Sequence, residues 1–148
     1  MAKLTKPKPY PTPEEKPLIL VEEQLMEYQV VERSVAGIPV QQLSKVSDKY
    51  AISISEWAEI MGISTKSIQR YQQQENILSA TQTEFVLKIE QLYHIGKEVF
   101  GSTESFKLWL HKPAYGLGNK IPAKILNTIS GINLVINQLK RIAHGALA

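Results

Sequence analysis

The chain has 148 residues, with 17 Lys or Arg, 14 Asp or Glu and no cysteine, and 43% of it is hydrophobic. This length and composition suit one domain, or two very small ones, built around a core. The lack of cysteine excludes a disulfide framework and cysteine-based metal sites. The first residues lack the apolar core of a signal peptide, and no apolar run approaches the roughly 20 residues that span a bilayer. We therefore expect a soluble, cytoplasmic protein with no membrane contact.

The first 36 residues divide into two segments of different composition. Residues 1–17 hold five of the eight prolines, with lysines between them, which predicts a disordered, extended tail. From residue 18 to residue 36 apolar residues recur at spacings of three and four, which predicts an N-terminal helix. Gly37 is suited to end that helix in a left-handed turn.

Capping residues divide the middle of the chain into helices. Pro39 suits the start of one, and Ser53 with Glu56 forms a capping box for the next. Gly62 then interrupts the pattern, and Ser64 is placed to cap a helix over residues 65–74. Thr81 and Glu84 predict another capping box, at the start of a long helix that reaches about residue 100.

The last third of the chain predicts three short helices. Gly101 ends the long helix, Ser102 caps a helix that stops before Pro113, and Pro122 begins the next. Gly131 is expected to separate that helix from a final one with Leu134, Val135, Leu139 and Ile142 on its apolar positions. With no alternating strand pattern and no internal repeat, the predicted fold class is all-α.

The stretch around Gly62 fits a helix-turn-helix. Its second helix must pack one side on the core and present the other to a DNA groove. Ile63, Ile68 and Tyr71 supply the packing side. Residues of the types that pair with bases and phosphates supply the other, and they are the predicted DNA-binding set: Thr65, Lys66, Ser67, Gln69, Arg70 and Gln73. The alternative is an ordinary helical hairpin with a polar outer face, and Glu56, Glu59 and Glu75 lie close by in sequence.

No combination of residues in the sequence predicts catalysis. The stretch 116–120, GLGNK, lacks the spacing of a P-loop and the third glycine of a dinucleotide fingerprint. The three histidines, His94, His111 and His144, do not pair at a metal-ligand spacing. We therefore expect a binding protein rather than an enzyme, with no metal and no cofactor.

Charge is concentrated towards the end of the chain. Residues 97–148 contain seven Lys or Arg and two Glu. Such an excess attracts an acidic partner or a phosphate backbone, although a solvated basic surface gives the same count.

The last fifty residues resemble the C-terminal domain of the Xre/ParS/MbcA-type antitoxins. The positions that carry the resemblance are Phe100-Gly101, Trp109-Leu110, Pro113, Leu117-Gly118, Pro122 with Leu126, Gly131, Val135 with Leu139, and His144-Gly145. Residues 37–100 also resemble the Xre-like helix-turn-helix part of that family. The resemblance implies a helix-turn-helix bundle at 37–100 followed by a small three-helix toxin-binding domain at 101–148.

The resemblance also implies a function. Such proteins are antitoxins of type II toxin–antitoxin systems, and the usual partner is a RES-domain toxin that degrades NAD. The antitoxin binds at the toxin's active site, and its homodimer often binds operator DNA and represses transcription. In this chain the predicted toxin-binding residues are Trp109, Tyr115, Leu117, Lys120, Arg141, His144 and Leu147. Trp109 is equally compatible with the core.

Two questions stay open at this stage. The segment before residue 37 lies outside the shared pattern and serves either dimerisation or folding. The alternative function is a stand-alone helix-turn-helix transcriptional regulator whose C-terminal domain only dimerises.

Overall fold

The computed structural model describes the backbone of residues 18–148 and the side chains of residues 25–148. The predicted disordered tail at 1–17 lies outside the described residues. The all-α prediction is confirmed, since the described part of the chain forms seven α-helices and two 3₁₀ turns and no strand. The helices are α1 Leu18–Ala36, α2 Val40–Tyr50, α3 Ile54–Met61, α4 Thr65–Gln74, α5 Ala80–Phe100, α6 Thr103–Leu110 and α7 Ile129–Ala143, and the 3₁₀ turns are Tyr115–Leu117 and Pro122–Ile125. No helix among residues 18–148 combines the length and apolar character needed to cross a membrane.

Most of the predicted helix ends are confirmed. The Ser53 hydroxyl accepts from the Glu56 N–H at 3.1 Å, and the Glu56 carboxylate accepts from the Ser53 N–H at 2.6 Å. Gly62 ends α3 with a φ of +67°, in the left-handed region that glycine adopts without strain. Ser64 and Ser102 cap α4 and α6 as expected.

The capping box predicted for α5 at Thr81 and Glu84 is wrong. The helix begins two residues earlier, where Ser79 and Gln82 form the reciprocal pair. A glutamine side chain accepts from the N-cap N–H as well as a glutamate does. Residues 79–82 and 81–84 therefore both have the sequence pattern of a capping box. Within the helix, the Thr83 hydroxyl accepts from the buried Ile38 N–H at 3.3 Å.

The C-terminal segment has two α-helices rather than the predicted three. Residues 122–125 form only a 3₁₀ turn, and α7 begins at Ile129 with Thr128 as its N-cap. Gly131 therefore does not separate two helices but lies in the first turn of α7. A Cβ at residue 131 would lie 1.7 Å from the Ile125 carbonyl oxygen, so glycine allows the helix start to pack directly against the turn.

Helix α5 lies at the centre of the fold and packs against α1, α2, α3, α6 and α7. Its Val86, Ile89 and Leu92 are completely buried in one hydrophobic core that extends from residue 38 to residue 139. Lys88 on the same helix is 2% exposed, and its ammonium lies 2.6 Å from the Glu27 carboxylate on α1. A buried ammonium needs such a partner, so this ion pair links α1 to the central helix.

A chain of aromatic rings connects the helix-turn-helix region to α6. The rings of Tyr50 and Tyr93 lie 5.4 Å apart, and Tyr93 meets Phe106 edge-on at 5.1 Å. Phe106 in turn stacks on Trp109 at 6.2 Å. This arrangement depends on Gly96, because a Cβ there would lie 2.4 Å from the Phe106 ring. The predicted boundary at residue 100 is therefore not a break in the packing.

Two polar contacts also join the segments on either side of that boundary. The Lys107 ammonium donates to the carbonyl oxygen of Ala51, at the C-terminal end of α2. A cation is favoured at that position by the helix dipole. Lys124 lies 4.0 Å from Glu59 on α3. Polar contacts thus join α6 to α2 and the 3₁₀ turn at Pro122–Ile125 to α3.

We predict that Gly96→Ala destabilises the protein. Overpacking against the buried Phe106 ring costs about 1–3 kcal/mol, and over most of that range it exceeds the gain of about 1 kcal/mol in helix propensity. Urea unfolding followed by circular dichroism measures the change. Combining it with Phe106→Leu should reduce the penalty of the glycine substitution. The control Lys97→Ala, at the adjacent exposed position, should stay within about 0.5 kcal/mol of the parent. A Gly96→Ala protein with the stability of the parent would contradict the close approach.

Candidate nucleic-acid and partner interfaces

The outward face of α4 holds the residues predicted to bind DNA. Five of the six are exposed, namely Thr65, Lys66, Gln69, Arg70 and Gln73. Ser67 is half-buried, and its hydroxyl lies 2.9 Å from that of Ser64 within the helix cap. The opposite side of α4 packs inward through Ile68, which is 1% exposed. The structure therefore brings the polar set together on one accessible helix face.

Two contacts made by α4 could not be predicted from the sequence. Gln72 Nε2 donates to Ser44 Oγ at 3.2 Å and so joins α4 to α2. The Arg70 guanidinium carbon lies 5.6 Å from the centre of the Tyr71 ring. Stacking on a ring restricts the guanidinium and presents it at the helix surface.

The acidic residues that weighed against DNA binding lie in a different place. Glu56 is engaged in the cap of α3, and both it and Glu59 line a cleft that faces the segment at residues 123–127. Glu59 also approaches Lys124 on that side. Of the three neighbouring acids, only Glu75 adjoins α4, as its left-handed C-cap residue. The outward face of α4 is thus less acidic than the sequence suggests.

Residues 111–121 form an ordered elbow between α6 and α7. The Ala114 N–H donates to the Lys120 carbonyl at 3.0 Å, and the Asn119 N–H donates back to the Ala114 carbonyl at 3.0 Å. Gly118 and Asn119 have φ values of +64° and +62°, which let the chain reverse within a few residues. Gly116 packs so closely on α7 that a Cβ would lie 2.0 Å from the Gln138 amide nitrogen. The backbone of the elbow is therefore held by its own hydrogen bonds and by α7.

The elbow and α7 enclose a groove that gathers three of the predicted toxin-binding residues. Leu117 and Lys120 line it from the elbow, and Arg141 lines it from α7. Leu134 lies beside them and is 53% exposed, although the sequence pattern placed it with the core. We call this surface, formed by Leu117, Lys120, Leu134 and Arg141, the elbow groove. Tyr115, 70% exposed, projects from the same elbow.

Trp109 belongs to the core and not to the exposed surface. Its side chain is 8% exposed and packs between Phe106 and Phe100, whose ring centre lies 5.5 Å away. Of the two roles that the sequence allowed for this residue, the structure therefore favours packing. The indole N–H donates to the Ala148 carbonyl at 3.4 Å, so Trp109 also contacts the tail that follows α7.

The tail after α7 folds back on the protein. Gln138, which is 1% exposed, donates from Nε2 to the Leu147 carbonyl at 3.4 Å. The Leu147 side chain points outward and is 71% exposed, and His144 is also exposed. These two predicted toxin-binding residues are accessible, but they do not line the elbow groove.

A third surface consists of apolar residues on the outer side of α1. Tyr28, Val31 and Val35 recur at helical spacing and are 63%, 58% and 78% exposed. The opposite side of α1 packs on the protein through Val30 and the buried Ser34. We call Tyr28, Val31 and Val35 the outer stripe of α1. The helix predicted at 18–36 is confirmed, yet many of its apolar residues are exposed.

The described residues offer little for catalysis or metal binding. Among residues 25–148 no three His, Cys, Asp or Glu side chains come together in a way that would hold a metal ion. The one marked change in acidity concerns Tyr93, whose pKa is raised well above its usual value by burial and, to a smaller extent, by the Glu56 carboxylate. Because a phenol of raised pKa keeps its proton at neutral pH, Tyr93 cannot act as a base there.

Two family models match different parts of the chain. Residues 29–89 match the antitoxin Xre-like helix-turn-helix domain, and residues 96–145 match the antitoxin Xre/MbcA/ParS C-terminal toxin-binding domain. The chain is also 25% identical to a Photorhabdus laumondii protein named antitoxin Xre, over 113 residues that cover 76% of each chain. The two matched domains lie in the order that the resemblance implied, with α4 in the first and the elbow groove in the second. The chain therefore belongs to the Xre/ParS/MbcA-type antitoxin family.

Proposed function

We propose that this protein is the antitoxin of a type II system that neutralises a RES-domain, NAD-degrading toxin by direct binding at its active site. The observation on which the proposal rests is the elbow groove, because it groups apolar and cationic side chains inside the toxin-binding domain match. The same protein, as a homodimer in the cytoplasm, binds its operator through α4 and represses its own operon. No enzymatic activity is part of the proposal.

The elbow groove has the properties of a protein-binding surface. Leu117 and Leu134 supply apolar contact, while Lys120 and Arg141 supply charge at its edges. Tyr115 projects next to it and offers a large, stiff side chain of the type that dominates binding energy in interfaces. Because the elbow is held by backbone hydrogen bonds, little entropy is lost when it is presented to a partner. The cationic edges complement an acidic toxin cleft and speed association with it.

The outer stripe of α1 is the proposed homodimer contact. Its three apolar side chains lie on one face, and burying them against a second copy removes them from water. A two-fold dimer also presents two α4 helices to two DNA half-sites, which compensates for the small number of cations on each helix. The sequence left two roles open for the segment before residue 37, dimerisation and folding. The exposure of the outer stripe supports dimerisation.

Replacing Lys66 and Arg70 by alanine should weaken DNA binding and leave neutralisation intact. Both cations are exposed on α4, and removing a cation that neutralises one phosphate reduces the salt dependence of binding by a slope of about 0.9. Fluorescence anisotropy with DNA from upstream of the gene, at several salt concentrations, measures both effects, and we expect at least a tenfold loss of affinity. Lys97→Ala with Lys112→Ala removes the same charge elsewhere and serves as the control. If the α4 variant also fails to neutralise the toxin while still folded, the division of roles is wrong.

Reversing the charge of the elbow groove should abolish neutralisation. Lys120→Glu and Arg141→Glu each place a carboxylate where an acidic partner surface is expected, and both positions are exposed, so folding should be unaffected. Coexpression with the toxin encoded by the neighbouring gene, followed by growth and cellular NAD, reports the result. Calorimetric titration should show at least a hundredfold loss of affinity. Lys97→Glu, an equal charge change outside the groove, should bind like the parent.

Placing a charge in the outer stripe of α1 should separate the homodimer. Val31→Asp buries an unpaired carboxylate in the proposed contact, which costs several kcal/mol and should raise the dimer dissociation constant about a hundredfold. Sedimentation velocity over a range of concentrations measures it. Gln29→Asp, on an exposed position outside the stripe, is the matched control. A Val31→Asp protein that remains as dimeric as this control would show that the contact lies elsewhere.

These measurements also distinguish the proposed antitoxin from the alternative suggested by the sequence, a stand-alone transcriptional regulator. A protein of that kind would lose DNA binding with the α4 variant, and the charge reversals in the elbow groove would affect neither growth nor NAD. Failure to co-purify with the neighbouring toxin would then favour the regulator.

A further inference from the structure

A second concave site lies between the helix-turn-helix region and the C-terminal segment, away from the elbow groove. It is the cleft bounded by α3, α5, α6 and the 3₁₀ turn at Pro122–Ile125. Its inner wall is apolar and consists of Ile60, Leu110 and Leu126, which are 7%, 2% and 4% exposed. Polar side chains surround this wall at the mouth. None of the functions proposed above uses the cleft.

Tyr93 is the buried polar residue of this cleft. It is 4% exposed, and its ring is fixed between Tyr50 and Phe106. Its hydroxyl forms no hydrogen bond with any residue that the structure describes. The oxygen is not one of the buried polar atoms without a partner, which among residues 25–148 are Ser34 Oγ and Gln138 Oε1, so it is reached from the cleft and can pair with a ligand there. Glu56 and Tyr93 both line the cleft.

Glu56 gives the cleft a carboxylate without an ion-pair partner among the described residues, and Lys124 and His111 also line the cleft. One of its oxygens accepts from the Ser53 N–H at 2.6 Å, which leaves the other free to accept from a ligand. Among the described residues no Lys, Arg or His nitrogen lies within ion-pair distance of it. Lys124, by contrast, is 4.0 Å from Glu59, so these two charges offset each other at the rim. Glu56 is therefore the carboxylate of the cleft that has no ion-pair partner, with His111 as the other ionisable side chain at the mouth.

We propose that this cleft binds an alkylguanidinium or alkylammonium group, with the cationic head between Glu56 and Tyr93 and the apolar stem against Ile60, Leu110 and Leu126. An anion is repelled by Glu56, and a neutral apolar group leaves both polar side chains unpaired. A cationic head donates hydrogen bonds to the carboxylate and to the phenol oxygen at once. A short hydrocarbon stem is the complement of the inner wall. The source is either a small free amine or an arginine or lysine side chain of a protein partner.

Isosteric variants isolate the two polar contacts. Glu56→Gln removes the charge yet keeps the cap, since Gln82 performs the same capping role at the start of α5. Tyr93→Phe removes the hydroxyl and keeps the ring in its aromatic contacts. Glu98→Gln makes the same charge change on an exposed part of α5 and is the control.

The test is a titration of the full-length protein with n-propylguanidinium, followed by ¹H–¹⁵N correlation spectra. We expect shifts centred on residues 56–60, 93 and 110–127, and a dissociation constant raised about tenfold by Glu56→Gln and by Tyr93→Phe but less than twofold by Glu98→Gln. Guanidinium without a stem should bind at least fivefold more weakly, and propionate should not bind. Shifts spread over the acidic surface, or equal affinities for all variants, would overturn the proposal.

Repeating the titration on the antitoxin–toxin complex identifies the source of the cation. If the toxin supplies the side chain, n-propylguanidinium no longer binds in the complex, and Glu56→Gln also weakens toxin affinity by about tenfold. If the ligand is a small amine, the probe binds the complex and the free protein equally well. Either result agrees with the proposed chemistry. The proposal depends on neither the toxin nor the operator, because the titration of the free protein with n-propylguanidinium is sufficient to test it.

Discussion

The close packing of the Phe106 ring on Gly96 is the contact on which the arrangement of both interfaces depends. Helix α6 reaches α5 only because residue 96 has no side chain, and the ring then completes the aromatic chain that starts at Tyr50 on α2. The elbow that follows α6 is held on its other side by α7, which itself packs on α5. Helix α4 takes its position from the same core through its buried Ile68. The two interfaces are thus parts of one rigid packing arrangement, although they belong to two recognised domains.

Polar contacts determine which relative positions of the segments are allowed. Apolar packing alone tolerates sliding, since one hydrophobic neighbour substitutes for another. The Lys88 side chain, 2% exposed, restricts such sliding, because separating its ammonium from Glu27 on α1 would leave the charge unpaired. The Lys107 contact with the Ala51 carbonyl restricts α6 in a similar way, more weakly because it is exposed. These contacts explain why a chain with a small core holds α1 and α6 in defined places.

Local signals in the sequence were sufficient for most of the fold. Ser53, Gly62, Ser64 and Gly101 each act within one helical turn, and their predicted roles are confirmed. The errors arose where two local signals competed or where a distant contact decided the outcome. Ser79 and Thr81 offered competing caps two residues apart, and Ser79 is the one that caps α5. Gly131 looked like a break but serves a close approach to Ile125, which no local pattern reveals.

The candidate interfaces were less predictable than the fold, for the same reason. Whether an apolar residue is core or contact surface depends on which elements cover it. Trp109 is covered by Phe100 and Phe106, whereas Leu134 on α7 stays open. Polar residues are ambiguous in the same way, and the acids of α3 illustrate it. Glu56 seemed to weaken a DNA-binding helix, yet the fold turns it towards Tyr93 and the cleft. A carboxylate that repels DNA phosphates at one orientation becomes, at another, the feature that attracts a cation.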